Sequence, residues 1–437
     1  MSPGALVLAA AIPVLFLHVH YQPGFGVRFG STTLNAYLSD FAVLAVVVTA
    51  LVSGVRSGFS PLARGRWLWL AIALFLVWMF VEVAYGRSHS SAYAWHTHAV
   101  TAAKFAEYAL LAPSVPLLLR ARRHLLAPLW SLAIWSGLAT VVGIAQFFGA
   151  EIFLAGTVGR RQASFLSSAD FAALSAAAVL VGLIALALPR LGLGRRLAVV
   201  ATVSGGLGMI VAGSVASLLG LATALAALAV VLLLRKELEP RRLGAVAAAS
   251  AIVLVGVVAI RGSDLDAFVR FLGASPGKQA AHPTKIQTYA HRTVLAWLGY
   301  EIWIHHPLLG VGWEGSAEPA SFMPYIPGAE RRFPDVSQNA FPSPAPNHQY
   351  GVQNVWLQAL ADLGVLGLAF WVAIFAAAAW LSARAAARIG GASALIGLAW
   401  TALLVWLWTA QGYVAGIPLD ALTWLAFGLA ATAPRPD

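Results

Sequence analysis

The sequence predicts an all-α, polytopic helical membrane protein of about twelve transmembrane helices, with one large outer loop that contains a helix of its own. Three observations carry this. Hydrophobic residues make up 60% of the 437 and charged residues 10%, and the mean hydropathy is +0.79, which excludes an ordinary soluble domain. Apolar runs of about 17–25 residues recur between short basic loops, the length needed to cross a hydrocarbon core about 30 Å thick. The roughly ten-residue alternating segments of a transmembrane barrel do not occur.

In chain order the candidate spans are 3–19, 36–54, 67–84, 99–119, 125–148, 168–189, 197–212, 215–234, 244–260, 353–380, 391–410 and 413–432. The first has no basic stretch before it and no small-residue cleavage site after it, so a retained helix is expected rather than a signal peptide. Spans seven and eight are separated only by Gly213-Ser214, which predicts a tight hairpin. Three regions follow: 1–260 with helices one to nine, 261–352 as a large extracytoplasmic loop carrying the polar elements, and 353–437 with helices ten to twelve.

Arginine sets the orientation. One set of alternate loops holds Arg56, Arg64 and Arg66; Arg120, Arg122 and Arg123; Arg190, Arg195 and Arg196; Arg235, Lys236, Arg241 and Arg242; Arg384 and Arg388; and Arg435. The short loops of the other set hold only Arg28, Arg87, Arg160 and Arg161. The richer set is expected in the cytoplasm with both termini, and the long loop outside. The net charge of +11 is mostly this topogenic arginine. It favours anionic lipid headgroups and, being scattered, is no nucleic-acid footprint. With no cysteine there is no disulfide, thiol nucleophile or thiolate metal site.

Within the long loop, Gly262 through Pro283 reads as polar loop. The spacing of Ile286, Tyr289, Val294, Trp297 and Ile302 predicts a helix from Thr284 to Ile304 at the outer surface. Pro307 ends it after His305-His306. Residues 310–347 are rich in proline, glycine and serine, and a connection this long points to function.

Several polar residues carry two readings each. Arg292, beside His291, either grips a phosphate bidentately or snorkels at the interface. Arg160-Arg161, in a short outer loop where arginine is normally avoided, has the same pair. Two arginine sites on one face suit a pyrophosphate leaving group. Lys104 and Glu107, a turn apart, are expected to form a mutual salt bridge, with Lys104 also a candidate substrate-binding residue. Asp170 fits a helix N-terminus, and Asp40 and Glu82 are further helix-end acids. His348 lies just before span ten, where its ordinary pKa suits a general base; the alternative is a solvated loop histidine. Tyr350 and the pair Gln353-Asn354 stand nearby. His89, His96 and His98 are too loosely spaced for a persuasive metal site. Asp264-Leu265-Asp266 matches a metal–nucleotide carboxylate pair only by composition.

With these residues in view, the chain resembles the O-antigen ligase and polymerase superfamily of membrane glycosyltransferases. The resemblance rests on Arg292 with Trp297, then the run His306-Pro307-Leu308-Leu309-Gly310-Val311-Gly312. It continues through Asn354-Val355-Trp356-Leu357-Gln358-Ala359-Leu360-Ala361-Asp362-Leu363-Gly364-Val365-Leu366-Gly367. Arg160-Arg161 before Phe165 also sits where such proteins carry an arginine. The resemblance implies a GT-C-like fold in a bacterial cytoplasmic membrane, with the active site on its outer face and no metal or cofactor. It implies a polyprenyl-pyrophosphate-linked oligosaccharide donor, an acceptor glycan or glycolipid, membrane lipids around it and no nucleic acid. Arginines would bind the pyrophosphate, and a histidine would assist the acceptor hydroxyl.

Two positions depart from that pattern. The family histidine normally precedes the asparagine of the last run, and Gln353 stands there. The outer hairpin usually reads Ser-Arg-Gly, and here Val215 follows Ser214. Glutamine takes up no proton and valine binds no phosphate. Three accounts are open: His348 reaches the same place, a polymerase branch needs no base there, or the activity is lost. The first two together lead to His348 and Arg292 as catalytic candidates, with Arg160, Arg161, Gln353, Asn354, Tyr350 and Lys104 binding substrate. A repeat-unit polymerase is slightly favoured. A ligase, or a transporter or flippase of the same lipid-linked glycan, is the alternative.

Overall fold

The computed structural model describes residues 2–29, 32–154, 161–237, 240–271, 287–333, 351–388, 391–413 and 416–432. It is a helical bundle, and each of the twelve expected spans corresponds to helix. Among the described residues eight helices are long and apolar enough to cross a membrane, and Pro3–Leu15, Gly244–Ile260 and Pro418–Ala431 are shorter apolar segments. The fourth span is broken into α4 (Trp95–Ala109) and α5 (Leu111–Leu118). Pro113 in the first turn of α5 has no N–H to return to the preceding turn, which explains the break there.

The centre of the bundle is α7 (Ser168–Ala187), with α15 (Ala392–Leu407) and α16 (Pro418–Ala431) beside it. Nearly all of α7 is buried, because its alanine-rich surface lets neighbours approach from every side. Its closest partner is α8 (Arg195–Ala212). A Cβ added at Gly205 of α8 would lie 2.5 Å from the Ser175 carbonyl oxygen. Gly213 then adopts the left-handed conformation and Ser214 caps α9 (Val215–Leu234), as the two-residue hairpin requires. Asp170 falls in the first turn of α7, as expected, and its carboxylate accepts from the Ser167 hydroxyl at 2.6 Å.

Three features differ from the sequence-based expectation. The connection between α1 (Pro3–Leu15) and α2 (Leu38–Ser57) contains an antiparallel ribbon, β1 (Gly24–Phe29) paired with β2 (Thr32–Tyr37). It is too short to leave a hydropathy signal. α10 (Pro240–Phe271) continues past the predicted end of its span, so the stretch from Gly262 expected as loop begins as helix and includes the backbone of Asp264 and Asp266. The Lys104–Glu107 bridge is replaced by one from Lys104 to Asp40 at 3.0 Å. Asp40 already accepts from the Tyr37 amide at the start of α2, and this fixed carboxylate draws the lysine across. The ammonium also lies 4.6 Å from the Tyr37 ring centroid.

The outer helix predicted from Thr284 is α11 (Gln287–His305), and it stops at the expected place. The chain then runs along a break in α14 (Val355–Arg388). Gly364 there has φ 66° and ψ −170°, outside the helical region. The break frees backbone groups that the His306–Gly312 run takes up. Val311 donates to the Ala361 carbonyl at 3.0 Å, Gly312 to the Asp362 carbonyl at 2.9 Å, and Val365 to the Pro307 carbonyl at 2.9 Å. The two backbones touch. A Cβ on Gly364 would lie 2.0 Å from the Leu308 oxygen, and one on Gly310 2.4 Å from the Asp362 carbonyl carbon.

Replacing Gly364 with alanine is therefore expected to cost at least about 1–3 kcal/mol in backbone strain alone, with the clash added. Gly391→Ala, where a Cβ meets nothing within 4 Å, serves as control. Thermal unfolding of both variants in detergent, with equal midpoints, would refute the clasp.

Candidate active site

Arg292 comes from the helix within the long loop, and Gln353 from the residue just beyond the loop's end. Arg292 projects from the first turns of α11, and Gln353 immediately precedes α14. The Arg292 Nε donates to the Gln353 Oε1 at 3.2 Å, and both side chains are half-buried. The sequence places these residues in one region; the structure brings them into contact. Because arginine only donates, the glutamine carbonyl must face it, and the Gln353 amide N–H groups remain to donate elsewhere.

Asn354 has a structural duty. Its Oδ1 accepts from the Leu357 amide at 3.2 Å, capping α14, so its NH₂ is the part left for a ligand. His291, buried beside Arg292, has its pKa lowered by burial and by that guanidinium. His305 binds the Glu301 carbonyl at 2.8 Å, in keeping with a helix-terminating role. His348, Tyr350 and Arg160 lie outside the described residues.

Arg161 is half-buried, just after α6 (Leu126–Phe147) and its loop. Gln146 staples that loop: its amide donates to the carbonyls of Ile152, Phe153 and Ser164, and its Oε1 accepts from Ser164 N at 2.7 Å. The Gln162 backbone amide then donates to the Val211 carbonyl at 3.5 Å, which ties the residue after Arg161 to the last turn of α8. Lys104 instead faces α2 and β2, donating to the Asn35 carbonyl at 3.3 Å as well as to Asp40.

Sequence reasoning missed a buried acid–imidazole network beneath the outer loop. The histidines at 89, 96 and 98 do not gather. His89 contacts Tyr85 and Ser88, His96 stacks on Trp95, and His98 turns inward. His98 Nε2 lies 2.8 Å from Glu318 and its Nδ1 3.4 Å from Glu314. Thr101 donates to Glu314 at 2.8 Å and accepts from the Trp313 indole at 3.0 Å. Next to this, Asp362 accepts from Ser316 N at 2.7 Å and from Gln358 Nε2 at 2.9 Å, while Gln358 Oε1 accepts from Tyr413 N. Glu82 of α3 (Arg66–His89) is fully buried nearby. Glu314 and Glu318 sat in a stretch legible only as a long loop, and nothing in sequence links them to His98.

Burial by itself would lower the His98 pKa, but hydrogen bonds to Glu314 and Glu318 outweigh it and raise the value to about 9. The Glu318 carboxyl is correspondingly lowered, chiefly by its hydrogen bond to His98. The network therefore latches the start of α4 to the outer loop through an imidazolium.

The fold and this contact define a class: a multi-pass helical membrane protein with a long loop clasped to a broken helix and an arginine–amide contact between α11 and the start of α14. The sequence profile of the O-antigen ligase family matches residues 197–372. The match supports the resemblance drawn from the motifs, over a stretch that includes Arg292, Gln353 and the clasp. Comparison with curated proteins finds no match.

The latch gives a pH dependence. The folded His98 value lies above the ordinary 6.5, so its contribution is complete below pH 6.5 and is lost as pH rises through about 9. The contribution is roughly 1.5–3 kcal/mol, as for hydrogen bonds to charged groups. Melting temperature followed across that window should fall more steeply for wild type than for His98→Gln; parallel curves would exclude the latch.

Proposed function

We propose that this protein moves a glycan from a polyprenyl-pyrophosphate donor to a hydroxyl of an acceptor glycan at the outer face of the cytoplasmic membrane, extending surface polysaccharide repeat units. The observation that carries the reading is the Arg292–Gln353 contact, which lies inside the matched stretch and just before the helix that carries the clasp. It joins a phosphate-binding cation to the position that holds the family histidine.

The acceptor oxygen attacks the anomeric carbon, the bond from that carbon to the pyrophosphate oxygen breaks, and the diphosphate departs with its electron pair. Arg292 neutralises the charge that develops on that oxygen, and Arg161, with Arg160 beside it in sequence, takes the second phosphate. Gln353 donates to a sugar hydroxyl or phosphate oxygen and takes no proton. The proton of the attacking hydroxyl goes to His348, which with Tyr350 lies in the chain leading into Gln353. The Asn354 amide adds a donor at the same edge. Lys104, tied to Asp40 and Tyr37, orders the ribbon at the rim of the site. No step calls for a metal.

A ligase that delivers the glycan to a lipid or protein is the second reading. It is favoured by the description of the matching family, O-antigen ligase. The two differ in product: a ladder of repeat units for the polymerase, one transfer per acceptor for the ligase.

Purified protein would be incubated with polyprenyl-pyrophosphate oligosaccharide and the products sized. Arg292→Ala is expected to lower turnover about 10²–10³-fold, as for removal of a charge-stabilising donor, with Arg292→Lys recovering only part because its ammonium is not bidentate. His348→Ala should lose about 10²–10⁴-fold, with the loss smaller at high pH. Full activity in both alanine variants would overturn these assignments. An inactive wild type that carries the lipid-linked glycan across vesicles would make it a transporter.

A further inference from the structure

Helices α9 and α10 are consecutive in sequence but do not run together. α9 rests on α15 and α7, whereas α10 leans on α8 and α7. Between them, at the end where α7 finishes, they leave a cleft of ≈ 330 Å³. Leu183 of α7 and Leu188 just after it form its back wall, with Leu228 and Leu232 of α9 and Val246 of α10 at the sides. Ser250, also on the lining, donates its hydroxyl to the Val246 carbonyl at 2.8 Å and so turns no donor into the cleft. Ala226 and Ala247 at its edges are exposed, which opens it sideways toward hydrocarbon.

Glu237 lines the same cleft and marks its polar end. Its carboxylate is bound by both Arg190, from the turn after α7, and Arg235, from the end of α9. Lys236, exposed, lies between Arg235 and Glu237 in sequence and adds a third cation to this end of the cleft. The Arg235 guanidinium is further fixed by the carbonyls of Ala386 and Ala387 at the end of α14. The Arg190 side chain is 42% exposed beside Glu237.

An apolar cavity of this kind excludes water, and an empty one forgoes dispersion contacts along its whole lining. A hydrocarbon chain satisfies the walls. The cationic rim then selects the headgroup: guanidinium groups bind phosphate oxygens bidentately, and basic pockets between transmembrane helices on the cytoplasmic side take anionic headgroups. We propose that this cleft holds one acyl chain of an anionic glycerophospholipid, its phosphate seated on Arg190 and Arg235 beside Glu237. A zwitterionic lipid brings its own ammonium to the rim and cancels the net attraction. The site is at the opposite end of α9 from the Gly213-Ser214 hairpin and is independent of the transfer chemistry.

The test uses full-length protein in nanodiscs of phosphatidylglycerol, phosphatidylcholine and polyprenyl phosphate, released and weighed by native mass spectrometry. Phosphatidylglycerol should be retained at least about fivefold over phosphatidylcholine, by the tenfold-per-1.4 kcal/mol scale of one charge-assisted contact. Arg190→Gln should remove that preference, and Ala229→Phe, which fills the cleft from its lining, should remove retention. Added phosphatidylglycerol should raise the melting temperature of delipidated wild type and leave Ala229→Phe unmoved. Unfolding of each variant without lipid separates loss of binding from loss of fold. Equal retention of the two phospholipids, retention unchanged in Ala229→Phe, or displacement of phosphatidylglycerol by polyprenyl phosphate would each overturn the proposal.

Discussion

The contact between the His306–Gly312 backbone and the broken turn of α14 is the constraint on which the outer mouth depends. A transmembrane helix interrupted at Gly364 exposes peptide groups that hydrocarbon cannot solvate. The clasp supplies partners for them and in doing so fixes where α11 ends and where Asp362 points. Asp362 in turn receives the Ser316 amide, which holds the next segment, and that segment carries Glu314 and Glu318 to His98. Remove the close approach at Gly364 and Gly310, and each later contact loses its support.

This gives physical meaning to the motif. The Pro-Leu-Leu-Gly-Val-Gly run and the paired glycines of α14 read in sequence as a family signature with chemistry attached. Most of that signature is structural: glycines that let two backbones touch, and amides that satisfy a broken helix. The proposed chemistry is assigned to its borders, to Arg292 before the run and Gln353 before the helix, which meet through a hydrogen bond. Val215 stands in place of the hairpin arginine, and the Gln162 backbone amide ties the residue after Arg161 to the last turn of α8, just before that hairpin.

Much of the fold was legible because hydrocarbon imposes it: runs long enough to span, and proline after α11. What was not legible depends on residues distant in sequence. Lys104 was expected to pair with Glu107, one turn away, but Asp40 was already oriented by the Tyr37 amide and was reached across helices. The β1–β2 ribbon carries no periodicity long enough to register. The acid–imidazole network joins residues more than two hundred positions apart, and its members looked like helix-end or loop charges until the clasp brought them together. The Arg292–Gln353 pair was half legible: both residues were singled out, and only the folded chain shows that they meet.

One consequence follows from how the long loop is tied down. Its segment from Ser316 to Gln353 begins at an anchor on Asp362 and ends at an anchor on Arg292. Both anchors are set on or beside the flanking helices α11 and α14. The entropy of closing such a loop grows only slowly with its length. Length can therefore change between the anchors at small entropic cost, provided that Glu318 keeps its hold on His98 and that Phe322 and Ala329 keep their packing against α11. An insertion that respects those three residues leaves the frame around Arg292 untouched.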